Sequence, residues 1–313
     1  GAIEEAGEKS GGFLNGVAAV NDAVNGVVWG VPALALLAFV GILMTLLTKV
    51  FQLTHIGHWM KKTIGAVFSD KRVTGHTADK SISQFQSLCT ALAATVGTGN
   101  IVGVSGAIMV GGPGAVFWMW VIAFFGMATI YAEAVLAQKT RKVNEDGSVE
   151  GGPVYYIRAA YKGKLGKILS SLFAVFIILA LGFMGNMVQA NSIGSAFVEV
   201  FNSRGIAFQP IIIGVLLAIF AAFIFIGGTK RLAAFVEKVV PFMALFYIVG
   251  SLAVIFLNIS EVPNVLKMII VCAFDPAAMG GGALGITVQQ AIRYGVARGL
   301  FSNEAGMGST PHA

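Results

Sequence analysis

Charged residues are scarce in this chain. Aspartate, glutamate, lysine and arginine make up 12% of its 313 residues, about half the share of an ordinary soluble domain. So few charges cannot solvate the surface of a globular enzyme of this length, and a soluble enzyme is excluded. Cysteine is limited to two residues, which removes disulfide scaffolds. Cys89 and Cys272 lie in or beside apolar stretches without metal-ligand spacing, and are expected to be packing residues. The four histidines offer no ligand set, because His55, His58 and His76 share one basic loop and His312 stands far from them in the chain. Low-complexity polar tracts are lacking, and with them disorder. What fills the chain instead is 56% hydrophobic residues, with a mean hydropathy of +0.81. These figures describe an integral membrane protein.

Run length selects the kind. A spanning helix needs about 20 mostly apolar residues, whereas barrel strands alternate over about 10. The runs over 31–47, 169–187, 211–226 and 239–257 are long and unbroken, so an all-α membrane protein is expected. Seven hydrophobic segments are counted, at approximately 28–50, 86–110, 114–138, 166–199, 208–228, 236–257 and 280–300. Ahead of them, residues 1–27 are glycine-rich and acidic, without the basic start of a signal peptide. They are expected to form an extracytoplasmic extension, and 28–313 the transmembrane domain.

Basic residues orient the segments. Sixteen lysines and arginines fall in the loops after the first, third and fifth segments, against Lys9, Arg204 and Lys267 on the opposite side. Arg293 and Arg298 sit near the inner end of the seventh segment. This bias places the N-terminus outside an inner (plasma) membrane. It also accounts for the isoelectric point of 9.3, so the bilayer is the expected partner and nucleic acid is not.

The second segment carries the chemistry. Its centre reads Gly97-Thr98-Gly99-Asn100, where a helix that only fills lipid has no use for such residues. Each glycine costs about 0.8–1 kcal/mol of helix propensity, and an amide in hydrocarbon must find a partner. Broken helices of this kind make the substrate and ion sites of secondary transporters. Close helix packing is the plainer reading of Gly99 and Gly103, a G-x-x-x-G pair, and Asn100 between them tips the balance toward a ligand-facing break. A dinucleotide fingerprint fits poorly, since the run has one residue too many and no strand precedes it. Farther along, Asn186 and Gln189 are one helical step apart and share a face. On chemistry alone they suit interhelical hydrogen bonding. Trp118 and Trp120 are expected as headgroup anchors, Glu304 as a partner of Arg298, and Glu133 as a gate or anchor charge near Lys139 or Arg141.

Residues 111–126, GGPGAVFWMWVIAFFG, resemble the signature of the alanine or glycine:cation symporter family, the sodium:alanine symporters. ALAATVGTGNIVGV at 91–104, FGMATIYAEAVLAQKTR at 125–141, GGPVYYI at 151–157, GNMVQANSI at 185–193, VPFMALFYI at 240–248 and RGLFSNEAGMGS at 298–309 follow in the expected order. The resemblance implies the five-plus-five inverted-repeat fold of amino acid/sodium symporters with one extra helix at the front. Family members continue past the SNEAG block, so the domain is expected to be incomplete. On this mapping 86–110 and 280–309 are the two broken core helices. Gly97, Thr98, Gly99 and Asn100 match the substrate break. Thr98 and Gly99 would give backbone N–H groups to a carboxylate, and Asn100 its side-chain amide. The carbonyls of Ala93 and Val96 would face sodium. Gln189 falls at a substrate contact, with Asn186 beside it, and Phe301 and Ser302 belong to the second break, where Phe301 limits substrate size.

The implied activity is sodium-coupled uptake of a small neutral amino acid, alanine or glycine, with sodium as coupling ion and no cofactor. An ion channel, or a membrane sensor of small amino acids, is the alternative. An intramembrane hydrolase is weak, because Ser302 and Ser309 have no base positioned within the membrane.

Overall fold

The computed structural model describes residues 15–16, 18–27, 29–75, 82–145, 147–275 and 287–312. Among them the chain is helical but for one two-stranded ribbon, Lys142–Val143 paired antiparallel with Val149–Glu150. Ten principal helices follow in order. They are α1 (Val31–Leu47), α2 (Gln84–Thr95), α3 (Val102–Gly111), α4 (Gly114–Thr140), α5 (Pro153–Ala160), α6 (Gly163–Asn202), α7 (Pro210–Phe225), α8 (Gly228–Leu257), α9 (Val262–Phe274) and α10 (Val288–Asn303). Short helical turns fill 51–74 between α1 and α2. Residues 18–27 of the expected N-terminal extension are helical and lead toward α1.

Local chemistry sets the boundaries. Ser83 and Gln86 close a reciprocal capping box at the start of α2, and Thr287 and Gln290 do the same for α10. Each box satisfies backbone donors that a helix start leaves free. Proline stands in the first turn of α1, α5, α7 and α9, where its missing N–H costs nothing. Within α6, Ile178–Gly185 is wound as a π-helix directly ahead of Asn186.

Four helical stretches are long and apolar enough to cross a membrane: Ala18–Leu47, Gly114–Thr140, Gly163–Asn202 and Gly228–Leu257. The pair Gln84–Thr95 and Thr98–Gly111, bent by 59°, makes a fifth if taken as one span. Helix α7 is shorter, and the beginning of the expected seventh segment lies outside the described residues. Large apolar side chains stand outward along α7 and α8, with Phe246 at 75% and Ile226 at 83% exposure. Leaving such surface in water costs about 25 cal/mol per Å². Several apolar helices of this kind make a multi-pass membrane protein.

Helix α9 departs from the sequence expectation, which placed a loop between 257 and 280. Its 13 residues rise about 20 Å, short of the roughly 30 Å hydrocarbon thickness. It lies across the start of α4 instead, where the Trp118 indole N–H donates to the Ala273 carbonyl at 3.1 Å. Trp118 also packs edge-on against Phe274. Trp118 is therefore a joint between α4 and α9.

Helix α4 is the spine of the bundle. Leu34, Ile122 and Leu300 join α1, α4 and α10 in one buried cluster, and Ala107, Ala115 and Met119 join α3 to α4 in another. A third, Cys89, Val236 and Val240, joins α2 to α8. Both cysteines are buried and unbridged. Helix α10 crosses α4 closely at Gly295 and Gly299. A Cβ on Gly295 would stand 2.4 Å from the Ala115 carbonyl oxygen, and one on Gly299 would stand 2.2 Å from Ile122 Cγ2. This pair, and not Gly99 with Gly103, is the small-residue crossing of the fold. Gly295→Ala is expected to destabilise the protein by about 1–3 kcal/mol. Thermal unfolding in detergent should show a lower midpoint, while Gly106→Ala, with nothing within 4 Å of the added Cβ, should not.

Candidate functional site

The second hydrophobic segment breaks where its sequence suggests. Helix α2 ends at Thr95; Val96 and Gly97 leave the helical region, and Thr98–Asn100 form a single 3-10 turn before α3. A break frees backbone groups that must find partners in a low-dielectric setting. Asn100 supplies one, since its Nδ2 donates to the Thr95 carbonyl at 2.8 Å. The Asn100 and Ile101 N–H groups close on the Gly97 and Thr98 carbonyls at 3.0 and 3.1 Å. Among the described residues the carbonyls of Ala93 and Val96 and the N–H groups of Thr98 and Gly99 carry no hydrogen bond. The break therefore presents free acceptors and free donors, with Asn100 bracing it. One donor of the Asn100 amide is already committed, which leaves its second N–H and Oδ1 for any further contact.

Of the four other expected site residues, Gln189 comes to this break, Ser302 and Phe301 gather around the arginine that reaches it, and Asn186 stands apart. Gln189 lies against Gly97, where an added Cβ would stand 3.3 Å from its Nε2. Ser302 reaches it through Arg298, whose Nε donates to Ser302 Oγ at 3.2 Å. Phe301 is half exposed beside this pair, with its ring 6.0 Å from that of Trp29. Asn186 is exposed, and its Nδ2 donates back to the Gly182 carbonyl of its own helix at 3.2 Å.

Arg298 was expected to pair with Glu304. Six residues at about 100° each put the two on different sides of α10, and Glu304 leaves the helix in the left-handed region at φ 54°. Its carboxylate accepts from the Ser309 hydroxyl instead. Arg298 turns to α3, with its guanidinium over the face where Gly99 and Gly103 lack side chains.

The expected partner of Glu133 is corrected as well. The backbone N–H groups of Gly306 and Gly308 face the Glu133 carboxylate, and its Oε2 is buried without a hydrogen bond. Tyr156 of α5 stands close enough that burial, and then the Glu133 charge, push its hydroxyl up to about 12. Glu133 thus holds the turn after α10 rather than Lys139 or Arg141. On the same face of α4, Asn303 Nδ2 is buried without a partner against Gly126. Asn303 and Thr95 also line a cavity of about 400 Å³ with Trp120, Phe124 and Met127.

Comparison with known proteins places this geometry. The profile of the Sodium:alanine symporter family matches residues 14–313, and the chain belongs to that family. It is 42% identical to an uncharacterized transporter of Haemophilus influenzae, over 95% of this chain and 62% of the relative. It is 45% identical to the sodium/alanine symporter AgcS of Methanococcus maripaludis, over 93% of this chain and 61% of AgcS. It is 41% identical to the putative sodium/proton-dependent alanine carrier protein YrbD of Bacillus subtilis, over 93% and 55%. The chain thus spans a little over half the length of these relatives.

Removing the carboxylate that faces Gly306 and Gly308 leaves two donors exposed to apolar surroundings. Glu133→Ala is expected to cost about 1–3 kcal/mol, while Glu133→Gln, which keeps an acceptor oxygen, should cost less. Thermal unfolding of both variants, compared in one detergent, checks the order.

Proposed function

We propose that the protein is a sodium-coupled symporter of a small neutral amino acid, alanine or glycine, working by alternating access. The observation that carries the reading is the bent, polar break between α2 and α3, with Gln189 laid against it. It combines free carbonyls on one side with free N–H groups on the other, which suits a cation and a carboxylate bound close together. The family of the chain, and the names AgcS and YrbD carry, support the same chemistry.

In this mechanism sodium enters from outside and binds the Ala93 and Val96 carbonyls, which fixes the geometry of the 97–100 turn. The amino acid then places its carboxylate on the Thr98 and Gly99 N–H groups, with Asn100 bracing the turn and Gln189 reaching over Gly97. Asn186 stands one step away on the same helix. Ser302 and Phe301 close the site from α10, and the bulk of Phe301 excludes larger side chains. The two broken segments then move with their neighbours to open inward. The sodium gradient drives accumulation, and the membrane potential adds ~2.3 kcal/mol per charge per 100 mV.

The proposal includes the five-plus-five inverted repeat with an extra first helix. It also includes a plasma-membrane location with the N-terminus outside. The scarcity of acids within the spans favours sodium on neutral oxygens over a proton carried by a carboxylate at the break.

Uptake of labelled alanine into proteoliposomes tests the reading, using the full-length protein with and without an inward sodium gradient. Saturable, sodium-dependent uptake competed by glycine is expected. Asn100→Ala should abolish that uptake while the protein remains folded and inserted. Normal kinetics in this variant would overturn the site, and uptake indifferent to sodium would overturn the coupling.

A further inference from the structure

Among the described residues the guanidinium of Arg298 is a strong charge delivered to the break, and the proposed binding steps give it no task toward the substrate. Its setting is specific. An added Cβ on Gly99 would stand 2.4 Å from Nη2, and one on Gly103 would stand 2.2 Å from Nη1 and 2.3 Å from Cζ. The two glycines therefore form a notch that a methyl group on either would fill, and the guanidinium lies in it. Nε donates to Ser302 at 3.2 Å, and Cζ stands 4.9 Å from the centre of the Phe301 ring. Three contacts from three directions hold the fork: the glycine face of α3, the Ser302 hydroxyl and the Phe301 ring.

What the fork lacks is an anion. Among the described residues no carboxylate pairs with Arg298, and the acid expected for it, Glu304, is bound to Ser309. A partly buried guanidinium is costly unless its charge and its N–H groups are answered. Nη1 and Nη2 make no hydrogen bond among the described residues, whereas Nε does. The unanswered end is the one in contact with Gly99, whose own N–H is also free. A planar fork with two parallel donors matches a carboxylate.

We propose that Arg298 is a substrate-binding residue that reads the carboxylate of the amino acid, so that the carboxylate is shared between the guanidinium and the Thr98–Gly99 backbone. This inference rests on the amino acid reading of the break and deepens it. It makes the substrate class one that must carry a free carboxylate, and it gives Ser302 and Phe301 a second task, that of fixing the fork in place. The glycine notch becomes part of recognition, because any side chain at 99 or 103 moves the charge.

The test compares alanine with alaninamide, which has the same size and amine but no carboxylate. Binding to the purified full-length protein is read from ligand-induced thermal stabilisation, with sodium present. Wild type is expected to prefer alanine strongly. In Arg298→Gln the apparent affinity for alanine should fall about tenfold or more, with alaninamide little changed, so that the preference collapses. Arg298→Lys keeps the charge but not the fork and should recover only part of it. Should Arg298→Gln fail to fold, Gly103→Ala displaces the guanidinium without removing it and should show the same collapse. An alanine preference unchanged in a folded Arg298→Gln or Gly103→Ala protein overturns the proposal while leaving the amino acid reading intact. Wild-type protein that binds no small amino acid overturns both.

Discussion

Everything described here answers to one constraint: a peptide group that leaves its helix inside an apolar medium must find a partner. At 96–100 the chain breaks that rule locally and repairs it incompletely. The Asn100 side chain takes the Thr95 carbonyl and the 3-10 turn takes two more groups, while a set of donors and acceptors is left over. The leftover set is what the break can offer a ligand. A fully satisfied helix would be more stable and would offer nothing, so the cost of the unsatisfied groups is inseparable from what the break can do.

A partially unsatisfied turn needs a packed scaffold around it, and α4 supplies one. It carries the α10 crossing at Gly295 and Gly299, receives α9 through Trp118, and presents Glu133 to the turn that follows α10. The broken segment and α10 are thus both referred to one helix, α3 through its small buried residues and α10 through its glycines. Close packing along α4 and incompleteness at the break are complementary properties of one arrangement.

The parts legible in the sequence were those written in local chemistry. Apolar run lengths gave the helices, and the glycines with Asn100 marked the break because few residues tolerate that conformation and fewer brace it. The partners of charged groups were not legible. Arg298 and Glu304 are near in sequence and were paired for that reason, yet their separation depends on the helical phase and on a left-handed residue at the end of α10. The carboxylate of Glu133 meets Gly306 and Gly308 only because the chain folds back after α10, which no periodicity announces. Gly99 with Gly103 and Gly295 with Gly299 are the same motif in sequence. Only the packing shows that one receives the end of the Arg298 side chain and the other the body of α4. Helix α9 was missed because its 13 residues are too few for a span and too apolar for a loop.

The π-wound stretch at Ile178–Gly185 bears on how such a protein changes over time. A π-turn amounts to one extra residue per turn, so it rotates everything beyond it by about 100° relative to a continuous α-helix. Gln189 therefore owes its direction to a register offset upstream as much as to its own position. Insertion or loss of a single residue in that stretch would turn a different side chain toward Gly97 and would turn the rest of the helix beyond it by the same angle. The face that this helix turns toward the break can thus be reset by length, without replacing any residue on it.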